Sequence, residues 1–179
     1  MEKLDKRKIS VYLTEEQLKR RIAEIGAEIT KRFHGKEVYL VCILRGSIFF
    51  TTELAKNIAL PMVIDFMTVS SYGAQTASSG NVQILKDLDG DISGKNVILV
   101  EDIIDSGNTL SKLIPMIQER NPKSLTLCTL LDKPDRRVVK DIKVDYTGFV
   151  IPDKYVIGYG LDYKQKYRNL PYIAFVEED

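Results

Sequence analysis

One segment, residues 97–109, constrains the fold of this chain more than any other. Its sequence is Val-Ile-Leu-Val-Glu-Asp-Ile-Ile-Asp-Ser-Gly-Asn-Thr, an apolar run that leads into two adjacent carboxylates and then a third. The run is short and rich in β-branched residues, which predicts a buried strand of a parallel sheet. Glu101 and Asp102, here called the acidic pair, come where that strand would end. Ligands of open α/β sheets bind at the carboxyl ends of the strands, so the segment predicts an α/β fold with a ligand site at this edge.

The residues that follow Asp105 predict a phosphate-binding loop at the start of a helix. Free backbone N–H groups at a helix N-terminus bind anions. The loop consists of Ser106, Gly107, Asn108 and Thr109, and Leu110 is the first apolar residue of the helix. A P-loop is excluded, because that motif requires a lysine at Asn108 and a glycine at Asp102. Three clustered carboxylates repel one another without a cation or donors, so a plain turn explains them poorly. The carboxylates could bind sugar hydroxyls or a metal ion, and the loop beside them could bind a phosphate. A sugar phosphate is the kind of ligand that needs both.

The composition excludes several functional classes. The chain has 179 residues, enough for one domain with a sizeable core. Its net charge of +1 gives no support for binding to nucleic acid or to an anionic membrane. No apolar run approaches the roughly 20 residues that span a bilayer, and residues 1–8 lack the apolar core of a signal peptide. Cys42 and Cys128 lie in apolar, strand-like runs and could be neighbours in the sheet. We expect buried, reduced thiols of a cytoplasmic protein rather than a disulfide.

Helix and strand patterns alternate along the chain, which predicts parallel βαβ units and a central, mostly parallel sheet flanked by helices. A capping box at Thr14 begins the first helix, and Gly35 ends it. The predicted strands are 38–44, 62–69, 82–85, 97–100, 124–131 and 144–150, with short candidates at 155–157 and 172–176; the other helices are 47–58 and 109–120. Residues 70–81 lack apolar anchors and predict a long mobile loop, as is typical of functional lids.

Two segments resemble signatures of one enzyme family. Residues 97–109 are similar to the phosphoribosyl-pyrophosphate signature of the type I phosphoribosyltransferases, and to their hypoxanthine-guanine branch in particular. Residues 151–163, Ile-Pro-Asp-Lys-Tyr-Val-Ile-Gly-Tyr-Gly-Leu-Asp-Tyr, resemble the purine-site segment of the same branch. The resemblance extends over nearly the whole chain. It implies a single domain over 1–179 with the fold of that family, a small hood contributed by 151–179 and a lid over 70–81.

The resemblance also implies a purine-salvage reaction. The phosphoribosyl group of phosphoribosyl pyrophosphate would pass to hypoxanthine or guanine, giving IMP or GMP and pyrophosphate. Asp105 would act as the catalytic general base on the N7 proton. The ribose phosphate would be bound by Glu101, Asp102, Asp105, Ser106, Gly107, Asn108, Thr109 and Leu110. Arg45, Gly46 and Arg168 would bind pyrophosphate, and the peptide bond between Leu44 and Arg45 would be cis.

The same resemblance assigns a purine site to four residues. Lys133 would donate to the 6-oxo group of the base, and Tyr155 would stack on its ring. The backbone of Val156 would recognise the exocyclic edge of the purine. Asp162 would hold a second magnesium ion, mainly through water molecules.

Magnesium is the implied cofactor, with Glu101, Asp102 and Asp162 as its carboxylates. Ser71 and Tyr72 would belong to the lid, which would exclude water from an oxocarbenium-like centre. The expected partners are the 6-oxopurine base and phosphoribosyl pyrophosphate, with no nucleic acid and no membrane. We also expect a cytoplasmic homodimer or homotetramer.

Two alternatives stay open from the sequence. One is a different base preference within the class, such as xanthine or broad 6-oxopurine use. The other is a regulator, since some transcription and attenuation factors keep this fold and a similar signature but bind RNA or DNA. Such proteins need a basic face, and a net charge of +1 with interspersed signs gives little support for one. His34, the one histidine, lies at a predicted helix C-terminus and receives no catalytic role.

Overall fold

The computed structural model describes residues 9–71 and 82–176, which form two sheets and three helices. The strands are β1 (Ile9–Leu13), β2 (Val38–Leu44), β3 (Met62–Ser71), β4 (Val82–Lys86), β5 (Asn96–Ile104), β6 (Ser124–Asp132), β7 (Tyr146–Val150), β8 (Val156–Ile157) and β9 (Ile173–Val176). The helices are α1 (Glu15–Arg32), α2 (Ile48–Lys56) and α3 (Asn108–Gln118), and a 3₁₀ turn spans Pro134–Arg136. Within the described ranges, no helix is long and apolar enough to cross a membrane.

The larger sheet has the strand order β4-β3-β2-β5-β6-β7. All of its strand pairs are parallel except β3 with β4, which confirms the prediction of a mostly parallel central sheet. β2 and β6 flank β5, and apolar residues predominate in all three strands. Strands that are covered on both faces have this composition, because both sides of the pleat are buried.

Helices cover both faces of the larger sheet, as predicted. α1 begins with the predicted capping box, in which Thr14 Oγ1 accepts from the Gln17 N–H and Gln17 Oε1 accepts from the Thr14 N–H. α1 and α2 share one core cluster, to which they contribute Ile22 and Phe50. α3 packs on the opposite face through Leu113 and other residues of a second cluster. The two layers leave the carboxyl ends of β2, β5 and β6 at one edge of the sheet.

A second, three-stranded sheet has the order β1-β9-β8, and its pairs are antiparallel. It joins the core cluster of α1 through Leu13, Val156 and Ile173. β1 was not predicted from the sequence. Its residues Ser10 and Val11 are exposed, and its partner β9 lies at the other end of the chain.

The end of β5 differs from the prediction. We expected the strand to stop before the acidic pair, but β5 continues to Ile104. The reason is that β6 stays paired with it, up to Ile104 with Asp132. The acidic pair therefore lies inside the last part of a strand, which fixes its backbone more firmly than a loop would.

The loop predicted over 70–81 is wrong for its first two residues, which belong to a strand. β3 continues through Ser70 and Ser71, because β4 pairs with both residues. The rest of the predicted lid, residues 72–81 with Tyr72, lies outside the described residues. The roles of Ser71 and Tyr72 in a lid stay predictions.

The two cysteines are free and buried, but they are not adjacent. Cys42 on β2 and Cys128 on β6 each pair in register with Val100, from opposite sides of β5. Two strand spacings amount to about 10 Å, whereas a disulfide needs Cα atoms within about 7 Å. This arrangement cannot form a disulfide without moving β5.

Candidate active site

The acidic pair lies on β5 beyond the point where β2 stops pairing with it. The last pair between these strands is Cys42 with Val100, whereas β6 follows β5 to its end. Because side chains alternate along a strand, Glu101 and Asp102 point to opposite faces of the sheet. Both still contribute to one cleft of about 660 Å³ at the sheet edge.

The surroundings of the acidic pair disfavour its negative charges. Burial, and to a smaller extent the charge of Asp102, raises the pKa of Glu101 well above its usual value. Burial also raises the pKa of Asp102 from 3.8 to about 6, although the Ile103 N–H that donates to its Oδ1 at 2.9 Å acts in the other direction. Glu101 Oε2 has no hydrogen-bond partner among the described residues. Sugar hydroxyls or a cation would satisfy that oxygen and favour the ionised pair.

The predicted phosphate loop joins β5 to α3. Gly107 precedes α3 in the left-handed conformation, with a φ of 81°. This backbone conformation favours glycine, because a side chain with a Cβ is strained there. The Ser106 carbonyl accepts hydrogen bonds of 3.0 Å from the N–H groups of Val138 and Val139. Helix geometry leaves the N–H groups of the first turn without intrahelical acceptors, and a small cavity of about 80 Å³ lies over them.

The loop after β2 brings backbone against the acidic pair. The peptide bond between Leu44 and Arg45 is cis, as the resemblance implied. A Cβ at Gly46 would overlap the Asp102 carboxylate, so glycine is required for this approach. A Cβ at Gly160 would in turn overlap the Gly46 carbonyl oxygen. Arg45 is exposed and lines the same cleft as the acidic pair.

Arg168 and Asp162 enter this cleft from the C-terminal part of the chain. Arg168 Nη2 lies 2.7 Å from Asp162 Oδ1, and its Nη1 donates to the Gly160 carbonyl at 2.7 Å. The other oxygen of Asp162 accepts from the Gln165 N–H at 2.8 Å. Both carboxylate oxygens of Asp162 therefore have partners within the protein. Arg168 is held at the cleft wall, where an anionic ligand could reach its guanidinium.

The three carboxylates predicted to bind metal do not form a preformed metal-binding site. Within the part of the chain that the structure describes, no group of three or more metal-ligating side chains is present. Glu101 and Asp102 share β5, whereas Asp162 is engaged by Arg168. Magnesium keeps most of its ligands from water and substrate and needs only one or two protein carboxylates. The unpartnered Glu101 Oε2 and the neighbouring Asp102 fit that requirement.

Lys133 is buried and lies between two carboxylates. Its side chain is only 5% exposed, and its Nζ lies 3.8 Å from Asp105 Oδ1 and 3.9 Å from Asp153 Oδ1. The Lys133 N–H donates to the Ile104 carbonyl at 3.0 Å, which ties the lysine to the end of β5. The structure therefore brings together Lys133 and Asp105, which the sequence analysis had placed in different parts of the site.

Two residues beside Lys133 were missed by the sequence analysis. Arg136 donates from Nη1 to Asp153 Oδ1 at 3.3 Å, and its Nε lies 3.8 Å from Asp105 Oδ1. The one available signal was the run of charges after Pro134. The role of these charged residues depends on the contact between the 3₁₀ turn and the segment before β8. No local sequence pattern predicts that contact.

Tyr155 and Val156 form a further wall. The Tyr155 hydroxyl donates to the Asp162 carbonyl at 2.9 Å, and its ring meets that of Tyr163 edge-on at 5.6 Å. The Tyr155 side chain is still 45% exposed, so a planar ligand could stack on it. Val156 is buried in β8 and pairs with Phe175 of β9, which fixes the position of its backbone.

The fold and the cleft together define a transferase of phosphoribosyl groups. The sequence model of the phosphoribosyl transferase domain matches residues 9–164, and the chain belongs to this family. It is 53% identical over 173 residues to the hypoxanthine phosphoribosyltransferase of Salmonella typhimurium, an alignment that covers 96% of this chain and 97% of that protein. It is 49% identical over 174 residues to the hypoxanthine-guanine phosphoribosyltransferase of Mycobacterium avium, covering 94% of this chain and 85% of that protein.

Solved structures give the same result. A hypoxanthine-guanine phosphoribosyltransferase from Bacillus anthracis, with a HEPES molecule in its active site, matches with a TM-score of 0.89 and 48% identity, covering 94% of this chain and 98% of that one. A hypoxanthine phosphoribosyltransferase from Staphylococcus aureus matches with a TM-score of 0.90 and 48% identity, covering 94% of this chain and 91% of that one.

Proposed function

We propose that the chain is a purine-salvage enzyme that transfers the phosphoribosyl group of phosphoribosyl pyrophosphate to hypoxanthine or guanine, giving IMP or GMP and pyrophosphate. The observation that carries this proposal is the adjacency of Lys133 and Asp105, whose charged atoms are 3.8 Å apart. They lie at the same sheet edge as the acidic pair and the phosphate loop. A hydrogen-bond donor for the base (Lys133) and a proton acceptor (Asp105) would therefore lie next to the proposed sugar-phosphate site. The names of the relatives support the same bases.

The ribose phosphate would be held by β5 and the start of α3. The 5′-phosphate would accept hydrogen bonds from the N–H groups of the first turn of α3 and from the hydroxyls of Ser106 and Thr109. The positive end of the α3 dipole would favour the same negative charge. The acidic pair would accept hydrogen bonds from the ribose hydroxyls, which would give Glu101 Oε2 the partner that it lacks among the described residues.

The pyrophosphate would lie against the loop after β2. The Gly46 N–H, the exposed Arg45 and the Arg168 guanidinium could all donate to it, and guanidinium–phosphate pairs are strong because they are charge-assisted and often bidentate. Magnesium, when bound, supplies a Lewis acid that neutralises the charge of this leaving group. The acidic pair would hold the metal, and Asp162 would contribute through water because Arg168 already occupies its Oδ1.

The base would react through its N9 atom. The bond from C1′ to N9 forms while the bond from C1′ to the pyrophosphate oxygen breaks, and the N7 proton passes to Asp105. The Asp105 side chain is 46% exposed, so its carboxylate could contact a base bound beside Lys133 and accept that proton. Lys133 would donate to the 6-oxo group, and it cannot serve a 6-amino group because an ammonium only donates. Tyr155 would stack on the base, and the Val156 backbone would select its other edge.

The other expectations complete the proposal. Residues 70–81, with Ser71 and Tyr72, would cover the bound substrates and exclude water. Residues 151–179 would form the hood of a single domain. The protein would act in the cytoplasm, where thiols such as the two free cysteines stay reduced, and would assemble as a homodimer or homotetramer.

The test uses the purified protein with magnesium, phosphoribosyl pyrophosphate and one of four bases: hypoxanthine, guanine, xanthine or adenine. Mass spectrometry of the separated nucleotides should identify IMP and GMP, with very little AMP. Adding EDTA should abolish turnover without changing the circular dichroism spectrum, because the metal would be bound for chemistry rather than for folding. Comparable yields of AMP and IMP would refute the 6-oxopurine proposal. A folded protein that forms no nucleotide from any base would refute the proposed function.

A further inference from the structure

Four charged side chains meet where the end of β5, the 3₁₀ turn and the segment before β8 come together. They are Asp105, Lys133, Arg136 and Asp153, here called the four-charge cluster. Each cation lies within 4.0 Å of both carboxylates. The two positive and two negative charges of the cluster cancel. Removing one carboxylate would therefore leave a net positive charge beside the proposed base site, and removing one cation would leave a net negative charge.

Arg136 is shared unequally between the two carboxylates. Its Nη1 donates to Asp153 Oδ1 at 3.3 Å, whereas its Nε stays 3.8 Å from Asp105 Oδ1, beyond hydrogen-bond distance. Lys133 Nζ also stays 3.8 Å from that oxygen. Asp105 Oδ1 is enclosed and faces two cations, yet it has no hydrogen-bond partner among the described residues. Charge-assisted hydrogen bonds are strong, so something must keep these donors away from it.

A hydrogen bond from Arg136 to Asp105 would oppose the proposed chemistry. Asp105 needs a basic carboxylate to take the N7 proton of the purine, and the proton would pass to its other oxygen, because Oδ1 is enclosed. A hydrogen bond donated to Oδ1 would stabilise the ionised carboxylate and so oppose its protonation. Asp153 is the group that engages Arg136 instead.

We propose that Asp153 is a positioning residue, which binds Arg136 and so keeps it from donating a hydrogen bond to Asp105 Oδ1 that would make the Asp105 carboxylate a weaker base. The inference rests on the proposed function, because it takes Asp105 as the proton acceptor. Arg136 and Asp153 line a cleft of about 660 Å³ that also contains Tyr155, one residue of the proposed base site. The Arg136 side chain is 53% exposed and has room to turn towards Asp105 when Asp153 is neutralised.

The decisive variant is Asp153→Asn, which keeps the size of the side chain and removes its charge. Two cations then face Asp105 alone, and Arg136 gains a hydrogen bond to Oδ1. The kcat for IMP formation should fall about tenfold or more, because the new charge-assisted hydrogen bond would favour the ionised Asp105 carboxylate over the protonated one. The KM for phosphoribosyl pyrophosphate should change much less. The double variant Asp153→Asn/Arg136→Gln restores one cation for one carboxylate and should recover most of kcat.

Asp135→Asn is the matched control, because it removes the same charge from an exposed residue next to Arg136. Asp153→Glu keeps the carboxylate and should hold kcat within about twofold of the wild type, with an unchanged melting temperature. A normal kcat for Asp153→Asn would overturn the inference, as would a loss that Arg136→Gln does not reverse. A tenfold loss in a folded Asp153→Glu protein would also overturn it. An inactive wild-type protein would instead overturn the proposed function.

Discussion

Replacing Asp102 by asparagine should stabilise the substrate-free protein at neutral pH while it removes activity. Asp102 is part of the acidic pair that would bind ribose hydroxyls and metal, so the variant should lose most turnover. Its charge, however, is costly to the fold, because burial raises the pKa of its carboxyl from 3.8 to about 6. An asparagine retains the oxygen that accepts from the Ile103 N–H and carries no charge to desolvate.

The size of the gain follows from linkage between ionisation and folding. A rise from 3.8 to about 6 corresponds to about 3 kcal/mol of unfolding free energy lost by the wild type above pH 6. Because Asp102 is only partly buried, we expect about half of this, or a melting temperature higher by about 3–6 °C for a domain of this size. Between the two pKa values the unfolded chain binds fewer protons than the folded one, so wild-type stability falls as pH rises from about 4 to about 6. The advantage of the variant should therefore vanish below pH 4 and level off above pH 6.

Thermal unfolding followed by circular dichroism at pH 4, 5, 6 and 7 would measure this difference. Glu37→Gln is the control, because it removes one carboxylate charge from an exposed side chain. The reasoning would be refuted if Asp102→Asn melted at or below the wild-type temperature at pH 7. It would also be refuted by a gain of equal size at pH 4 and pH 7, since that would not come from ionisation.

Three further substitutions test the proposed site. Asp105→Asn should lower kcat by about 10²–10⁴-fold in steady-state kinetics, and a folded variant with normal turnover would exclude Asp105 as the base. Lys133→Ala should lower kcat/KM for hypoxanthine and guanine, and so reduce a preference for these bases over adenine that we expect to be about 10⁴-fold in the wild type. If Lys133 plays no part, competition between bases would show the same preference in the variant and the wild type. Gly46→Ala should reduce kcat/KM for phosphoribosyl pyrophosphate by about 10²-fold, because its Cβ would lie 1.5 Å from Asp102 Oδ2 and would displace that carboxylate by well over an ångström; wild-type kinetics would contradict that close approach.

Much of the fold could be predicted because its signals are local. The capping box at Thr14 and the apolar run of β2 each specify their element within a few residues. β1 escaped prediction because only its pairing with β9, at the opposite end of the chain, makes it a strand. The end of β5 was placed too early for a related reason. Carboxylates disfavour a strand on local grounds, and pairing with β6 overrides that preference.

The local geometry of the candidate site was predictable where one continuous segment carries it. The loop predicted to bind phosphate follows β5 directly, and Gly107 has a positive φ at the start of α3. The four-charge cluster was not predictable in this way. Lys133 and Asp153 are 20 positions apart in the sequence, and their 3.9 Å separation depends on how the 3₁₀ turn and the segment before β8 fold together. Long-range electrostatic contacts of this kind leave no periodic pattern in a sequence.

The strand order of the smaller sheet connects β1, the first described strand, with β8, which carries part of the proposed base site. β9 lies between β1 and β8, so the strand that carries Val156 rests on a neighbour whose other edge is covered by residues 9–13. Removing β1 would leave β9 as an exposed edge with unpaired N–H and carbonyl groups. Val156 would keep its pairing with β9, but β9 itself would be held on one side only, although β1 supplies none of the proposed ligand-binding groups. A protein that lacks residues 9–13 should therefore discriminate less well between bases before its fold is lost. The start point chosen for a recombinant protein would then affect its base specificity.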